Sequence, residues 1–92
     1  MTAIERIRQA IREQRYRISN HANEEMSDDN LEVRDIEEAL LTGTVAHKFS
    51  RDPRGTRYEV IGTAGDQRSI GVVCRFLQDE TLLIITAYEI SY

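Results

Sequence analysis

Apolar residues near the start of the chain recur at the spacing of one helix face. Isoleucines stand at positions 4, 7 and 11, and arginines fill most of the charged positions around them. This i, i+3, i+7 spacing predicts an amphipathic helix over about residues 2 to 15. Its apolar stripe should face a core and its charged side should face solvent.

Two further helices are predicted before residue 43. Ser19 and Asn20 can accept hydrogen bonds from the free amides of a helix start, so a second helix should run from about residue 21 to residue 26 or 27. The short polar side chains of residues 28–30 compete for the backbone and form a turn. A third helix follows, and Gly43 is expected to end it in the left-handed C′ conformation. Its apolar face consists of Val33, Ile36, Ala39 and Leu40.

From residue 44 onward the apolar period changes to two residues, which predicts strands. Four strands are expected, at residues 44–50, 56–63, 68–77 and 82–90. In the first turn, Pro53 fixes φ and Gly55 permits a positive φ. Because short polar turns allow only antiparallel pairing, the strands should form a four-stranded antiparallel meander. Helices in one block before strands in another predict an α+β fold, with residues 1–92 as a single domain and the helices on one sheet face.

Alternation along the strands predicts which side chains lie on the open face of the sheet, away from the helices. The apolar residues expected to be buried are Tyr58 and Val60, then Ile70, Val72, Cys74 and Phe76, and in the last strand Leu83, Ile85 and Ala87. The polar residues then left on the open face are Arg57, Glu59, Arg75, Thr86 and Tyr88.

This predicted cluster has the groups that phosphate chemistry needs. A guanidinium can hold a phosphate, a carboxylate can move a proton, and a phenol can stack on a base or donate a proton. The alternative is a solvated sheet face, on which cross-strand Arg–Glu pairs contribute little. Both interpretations are compatible with the sequence.

His21 is the most suggestive single residue. An imidazole exchanges protons near neutral pH, and the amides of the helix start beside it favour an anion. A structural alternative is that His21 completes a helix cap and packs its ring. His47 has no partner implied by spacing, and two histidines 26 positions apart form no recognisable metal set.

Charge is unevenly distributed along the 92 residues, whose net charge is −4. Residues 21–40 have a net charge of −7, so the rest of the chain is mildly basic. The overall sign argues against strong non-specific nucleic-acid binding and leaves room for a local basic surface. The acidic segment itself is either a solvated helix face or a docking surface for a basic partner.

Cysteine use and hydropathy bear on the compartment. A single cysteine, Cys74, excludes an internal disulfide and is expected to pack as a small hydrophobe. The first residues lack the apolar region of a secretory signal, and the longest apolar run is far shorter than a bilayer span. We therefore expect a cytoplasmic protein with no membrane segment.

Several short motifs resemble a family of small uncharacterised bacterial proteins (DUF4258-type), which is similar to the MqsR, RelE and BrnT toxins of type II toxin–antitoxin systems. The motifs, spread over about residues 16 to 90, are Ile18-Ser19-Asn20-His21-Ala22, Met26, the segment Asp35 to Gly43, Tyr58, Val60 and Ile85-Thr86-Ala87-Tyr88. The resemblance implies a RelE-like domain and a translation-inhibiting mRNA endoribonuclease. It also implies an antitoxin partner, for which a zinc-finger protein of the MqsA (YgiT) type is the candidate.

RNA cleavage of this kind needs no metal or other cofactor. The base would be Glu59 or His21, the cations that steady the phosphate would be Arg57 and Arg75, and the acid would be Tyr88. The residues expected to contact RNA are Tyr58, Arg68 and Thr86, with Tyr58 or Tyr88 able to stack on a base. The competing hypothesis is a non-catalytic interaction module whose acidic helical segment binds a basic partner.

Overall fold

The computed structural model describes residues 1–91, which form three helices and five strands. The helices are α1 (Ala3–Arg12), α2 (Asn20–Asp28) and α3 (Val33–Thr42). The strands are β1 (Tyr16–Ile18), β2 (Thr44–Phe49), β3 (Arg57–Thr63), β4 (Ser69–Phe76) and β5 (Leu82–Glu89). They form one sheet in the order β1-β5-β4-β3-β2. The predicted α+β class and the three helices before residue 43 are confirmed.

The expectation of a purely antiparallel four-stranded sheet is wrong. Strands β2 to β5 do form the antiparallel meander, but β1 adds a fifth strand, which lies parallel to β5. Tyr16 pairs with Leu82 and Ile18 with Ile84. The long chain segment between the two strands supplies the crossover that parallel pairing requires. A strand of three residues is too short to show a period of its own.

Gly43 ends α3 for a different reason from the one expected. Its φ is −83°, so it is not left-handed. A Cβ at this position would lie 2.6 Å from the carbonyl oxygens of both Ala39 and Ile61, so only glycine fits between α3 and the sheet. Gly55 does have a positive φ, 118°, as expected for the β2–β3 loop.

The core lies between the helices and one face of the sheet. Its largest fully buried side chains come from α1, α3 and the three central strands, and they include Ile7, Ile36, Leu40, Val60, Ile70, Val72 and Cys74. The burial expected in β3 is therefore confirmed, and that expected in β4 is confirmed except at Phe76, which is partly buried against the core. Burial also raises the pKa of the Cys74 thiol to about 12, which keeps the thiol protonated.

The burial expected for the last strand is correct only at Ala87. The pairing of β4 with β5 shifts by one residue, because Val73 pairs with Thr86 whereas Cys74 pairs with Ile84. The bulge at Ile85 reverses the alternation, so that Leu82 and Ile84 are buried instead of Leu83 and Ile85. Thr86 and Tyr88 remain on the open face, where Leu83 and Ile85 join them.

Two carboxylates of α2 complete the edge of β5 beyond the end of β1. Glu25 Oε1 accepts a hydrogen bond from the Ala87 amide at 3.2 Å, and Asp29 Oδ2 accepts one from the Glu89 amide at 2.9 Å. These acids therefore satisfy strand amides that no neighbouring strand reaches. Within residues 1–91, none of the helices is long and apolar enough to cross a membrane.

Candidate functional site

The open face of the sheet holds a hydrogen-bonded group of three side chains centred on Glu59. One carboxylate oxygen of Glu59 lies 2.7 Å from Nδ1 of His47, and the other accepts the hydroxyl of Tyr88 at 2.9 Å. The three residues come from β2, β3 and β5. We refer to His47, Glu59 and Tyr88 as the Glu59 triad.

Strand register places the members of the triad. An irregularity in β2 between Val45 and His47 shifts the pairing so that His47 stands directly opposite Glu59. Tyr88 stands opposite Gly71 in β4, the strand between β5 and β3. The absence of a side chain at Gly71 lets the Tyr88 ring extend across β4 towards Glu59.

The contacts within the triad fix the protonation states of two members. The hydrogen bond from His47, aided by the one from Tyr88, lowers the pKa of Glu59 despite its partial burial. Burial, and then the hydrogen bond to Glu59, raises the pKa of Tyr88, with a further contribution from the charge of Glu25. At neutral pH the triad therefore contains a carboxylate and a protonated phenol.

A small basic pocket lies beside the triad. Its volume is about 170 Å³. Its lining consists of three arginines, one acid, a helix-capping serine and two apolar residues of β5, namely Arg54, Arg57, Arg75, Asp52, Ser19, Leu83 and Ile85. With three guanidinium groups and one carboxylate, this arginine pocket favours an anion such as phosphate.

The arginines are held in place by contacts among themselves and with Asp52. Arg57 and Arg75 are directly opposite each other in β3 and β4. Arg57 Nε lies 3.0 Å from Asp52 Oδ2 as a close ion pair, and Arg75 donates to the carbonyl of Arg54 at 3.3 Å. The backbone amide of Arg54 lowers the pKa of Asp52, and the nearby guanidinium groups add to this effect. Since Arg57 is two residues from Glu59, the pocket and the triad are adjacent on one face.

His21 lies on the β5 side of the sheet, away from His47. It is in the first turn of α2, directly after Ser19 and Asn20, and its side chain is 66% exposed. Its Nε2 atom lies 3.3 Å from Glu25 Oε1. Helix α2 packs on β5, whereas His47 is on β2 at the other edge of the sheet. One histidine–glutamate pair thus lies on the β5 side of the sheet and the other on the β2 side.

Not all of the predicted site residues join this face. Thr86 does, since it pairs with Val73, which in turn pairs with Glu59. Tyr58 is only 9% exposed and packs in the core, so it does not reach the cluster.

Arg68 lies at the other end of the sheet, before β4. Its Nε atom donates to Asp66 at 2.7 Å, and its Nη1 atom donates to the carbonyl of Asp29 at 3.1 Å. Asp66 also raises the pKa of Arg68, the hydrogen bond being the largest cause. These contacts tie the β3–β4 turn to the end of α2 and leave Arg68 apart from the arginine pocket.

His47 is the important site residue that sequence reasoning missed. A signal for it was present, because the predicted loop 51–55 is centred on Pro53. Counting outward from Pro53 along the hairpin pairs residue 47 with residue 59, as observed. For Asp52 and Arg54 the sequence pattern indicates only a place in this loop. Within residues 1–91, no three His, Cys, Asp or Glu side chains are grouped to hold a metal ion.

Comparison with known proteins gives a family without an activity. Residues 18–89 match the family model described as a domain of unknown function, DUF4258. The matched segment includes the Glu59 triad, the arginine pocket and His21. No match was found among the curated proteins or the solved structures.

Proposed function

The chain belongs to the DUF4258 family, and we propose that it is a metal-independent endoribonuclease that cleaves single-stranded mRNA. The observation that supports this most directly is the position of the Glu59 triad next to the arginine pocket on one open sheet face. Transfer of a phosphoryl group from the 5′-oxygen to the 2′-oxygen needs a base, a cationic phosphate site and an acid. The face offers a base and a cationic phosphate site, and His21 at the start of α2 offers the acid.

The base in this mechanism is the His47–Glu59 pair. His47 Nδ1 is against Glu59, so Nε2 of its exposed ring is directed to solvent and can take the proton of the 2′-hydroxyl. The Glu59 carboxylate, kept ionised by its low pKa, stabilises the imidazolium that forms. The 2′-oxygen then attacks phosphorus.

Arg57 and Arg75 hold the phosphate in the arginine pocket. Their guanidinium groups neutralise the charge that builds up on the nonbridging oxygens as the new P–O bond forms. The two apolar residues of β5 in the lining, Leu83 and Ile85, reduce the water around that charge. Low local polarity strengthens the arginine–phosphate interaction.

The acid is His21, which donates a proton to the leaving 5′-oxygen as the P–O5′ bond breaks. Glu25 Oε1 lies 3.3 Å from its Nε2 atom and helps to orient the ring. Tyr88 is less suited to this role, because its raised pKa and the neighbouring Glu59 charge oppose loss of its proton. Tyr88 then acts as a positioning residue that holds Glu59.

We place this activity in a toxin–antitoxin setting. Cleavage of mRNA in the cytoplasm would inhibit translation, and an antitoxin, with a zinc-finger protein of the MqsA type as the candidate, would neutralise it. The support is the resemblance to MqsR, RelE and BrnT toxins, together with the order of helices before an antiparallel meander. The RelE-like character of the fold belongs to the same proposal.

The competing hypothesis is a binding module with an acidic docking helix. The contacts that the acids make within the protein favour it less than the nuclease proposal. Five of the eight acids in residues 21–40 have partners within the protein. Glu25 and Asp29 accept β5 amides, Glu32 pairs with Arg34, Asp35 caps α3, and Glu37 accepts the hydroxyl of Tyr16. These carboxylates stabilise the fold and are less available to a partner.

A cleavage assay with purified protein tests the proposal. We expect a labelled single-stranded RNA to be cut in the presence of EDTA, with a 2′,3′-cyclic phosphate at the new end, and the all-deoxy strand to remain intact. Glu59→Gln and His47→Ala should each lower the rate by about 10²- to 10⁴-fold. Glu24→Gln, at an exposed acid of α2, is the matched control.

Two results would contradict the nuclease proposal. One is a folded protein that leaves RNA intact and allows normal growth when it is induced in bacteria. The other is a Glu59→Gln variant that cleaves as fast as the parent protein, since this would indicate a contaminating nuclease.

A further inference from the structure

We infer that Phe49 is a stacking platform for the nucleobase next to the phosphate held in the arginine pocket. This inference rests on the proposed function and assigns it a substrate-binding residue. Phe49 is at the end of β2 and 41% exposed. Among residues 1–91 it is the only phenylalanine or tyrosine that is exposed; the others are at least partly buried.

The surroundings of Phe49 are those of a nucleotide site. The Arg57 guanidinium carbon lies 5.2 Å from the centre of the Phe49 ring, and the His47 ring centre lies 6.1 Å away, with 31° between the two planes. Phe49 therefore contacts one residue of the arginine pocket and one of the Glu59 triad. A base stacked on it would place its own sugar and phosphate beside both groups.

The hairpin around Phe49 has space and positive charge. Residues 48–57 have a net charge of +3, although the whole chain is at −4. A surface cavity of about 590 Å³ is lined by residues 48–54 and Arg57. It shares Asp52, Arg54 and Arg57 with the arginine pocket. A single strand can therefore place a phosphate in the smaller pocket and the adjoining base in the larger one.

The chemistry of this platform predicts weak base selectivity. Phe49 presents a ring surface without hydrogen-bonding groups, and every base has a face that can stack on it. The arginines around it contact phosphates, which are the same in every sequence. The ligand class is accordingly single-stranded nucleic acid of mixed sequence, whereas a duplex with its bases stacked internally should bind poorly.

A fluorescent substitution tests the platform directly. The chain contains no tryptophan, so Phe49→Trp introduces a unique fluorophore at the platform. A single-stranded oligodeoxynucleotide is the probe, since it lacks the 2′-hydroxyl and is not consumed. We expect it to quench the emission of Phe49→Trp with saturation, and an abasic strand of the same length to quench much less. The matched control is Val33→Trp, at a site 44% exposed on α3, whose emission should not change.

Truncation gives a second measurement. Phe49→Ala should weaken binding of the same probe by roughly fivefold to a hundredfold, as the loss of one stacked base does. The slope of affinity against salt concentration should stay unchanged, because the phosphate contacts remain. Circular dichroism of each variant establishes that the edge strand is folded.

The outcomes separate this inference from the nuclease proposal. If the parent protein cleaves RNA but Phe49→Trp is not quenched and Phe49→Ala binds normally, the platform is wrong and the nuclease proposal stands. If the base-bearing strand quenches Phe49→Trp but no RNA is cleaved, the platform stands and the nuclease proposal fails. If the parent protein binds no single strand at all, the platform is overturned as well.

Discussion

Tyr88 lies across the backbone of Gly71, in a space that only glycine leaves free. A Cβ at residue 71 would come within 2.6 Å of Tyr88 Oη, the oxygen that donates to Glu59. The two residues are direct partners in the β4–β5 pair. A side chain of β5 can therefore reach β3 because the intervening strand has no side chain at this point.

We predict that Gly71→Ala separates Tyr88 from Glu59. The added methyl group should displace the ring, and loss of a hydrogen bond to a charged group should cost about 1.5–3 kcal/mol. RNA cleavage should fall by up to about tenfold, the same loss that we expect when the Tyr88 hydroxyl is removed. Gly65→Ala is the control, because its Cβ would meet only the carboxylate end of Glu38, which can turn away. Equal activity in the two variants would show that the Tyr88 contact is not needed.

The second prediction concerns the phosphate site. Arg75→Ala should remove a charge-assisted contact worth about 1.5–3 kcal/mol and lower kcat/KM by roughly ten- to a hundredfold. The melting temperature should change little, since Arg75 lies on the open face and its hydrogen bond is to the exposed Arg54 loop. Arg34→Ala is the matched control, because it removes the same charge from α3, at a side chain that is 77% exposed. A large drop in melting temperature for Arg75→Ala would instead identify it as a structural residue.

A third prediction separates positioning from proton donation at Tyr88. Tyr88→Phe keeps the ring and removes the hydroxyl. His47 provides the largest lowering of the Glu59 pKa, and Tyr88 adds to it, so the substitution should raise that pKa. The part of the acidic limb of the rate–pH profile that reports ionisation of Glu59 should then move to higher pH. At neutral pH, where Glu59 stays ionised, loss of its positioning contact should lower activity by up to about tenfold. A loss as severe as that of Arg75→Ala at every pH, without a shifted limb, would identify Tyr88 as the proton donor.

The helices and the sheet ladder of β2 to β5 were predictable because their signals are local. The Ser19 side chain caps α2 by accepting from the Ala22 amide at 3.0 Å, as its residue type predicts. The apolar alternation in β3 and β4 also matches the observed burial. In contrast, β1 exists through hydrogen bonds to β5, more than 60 residues away, and no pattern within residues 16–18 indicates this partner.

The candidate site was predictable wherever alternation alone decides the face. Arg57, Glu59 and Arg75 lie on the open face because they alternate with buried apolar residues. Leu83 and Ile85 were misplaced because residues 82–85 are all apolar, so hydrophobicity cannot distinguish the two faces and the bulge decides. Predicting that His47 pairs with Glu59 requires the register of the hairpin. That register follows from the position of the loop and not from composition.

The last prediction concerns the acidic end of α2, where two neighbouring aspartates should behave differently. Asp29 Oδ2 accepts the Glu89 amide at 2.9 Å, whereas Asp28 is exposed to solvent. Asp29→Ala should leave the Glu89 amide without its acceptor and lower the free energy of unfolding by about 1–2 kcal/mol. Asp28→Ala should be neutral or slightly stabilising, since it removes a negative charge from the C-terminal end of a helix. Urea unfolding of both variants measures the difference, and equal stabilities would show that water replaces the Asp29 carboxylate at this strand edge.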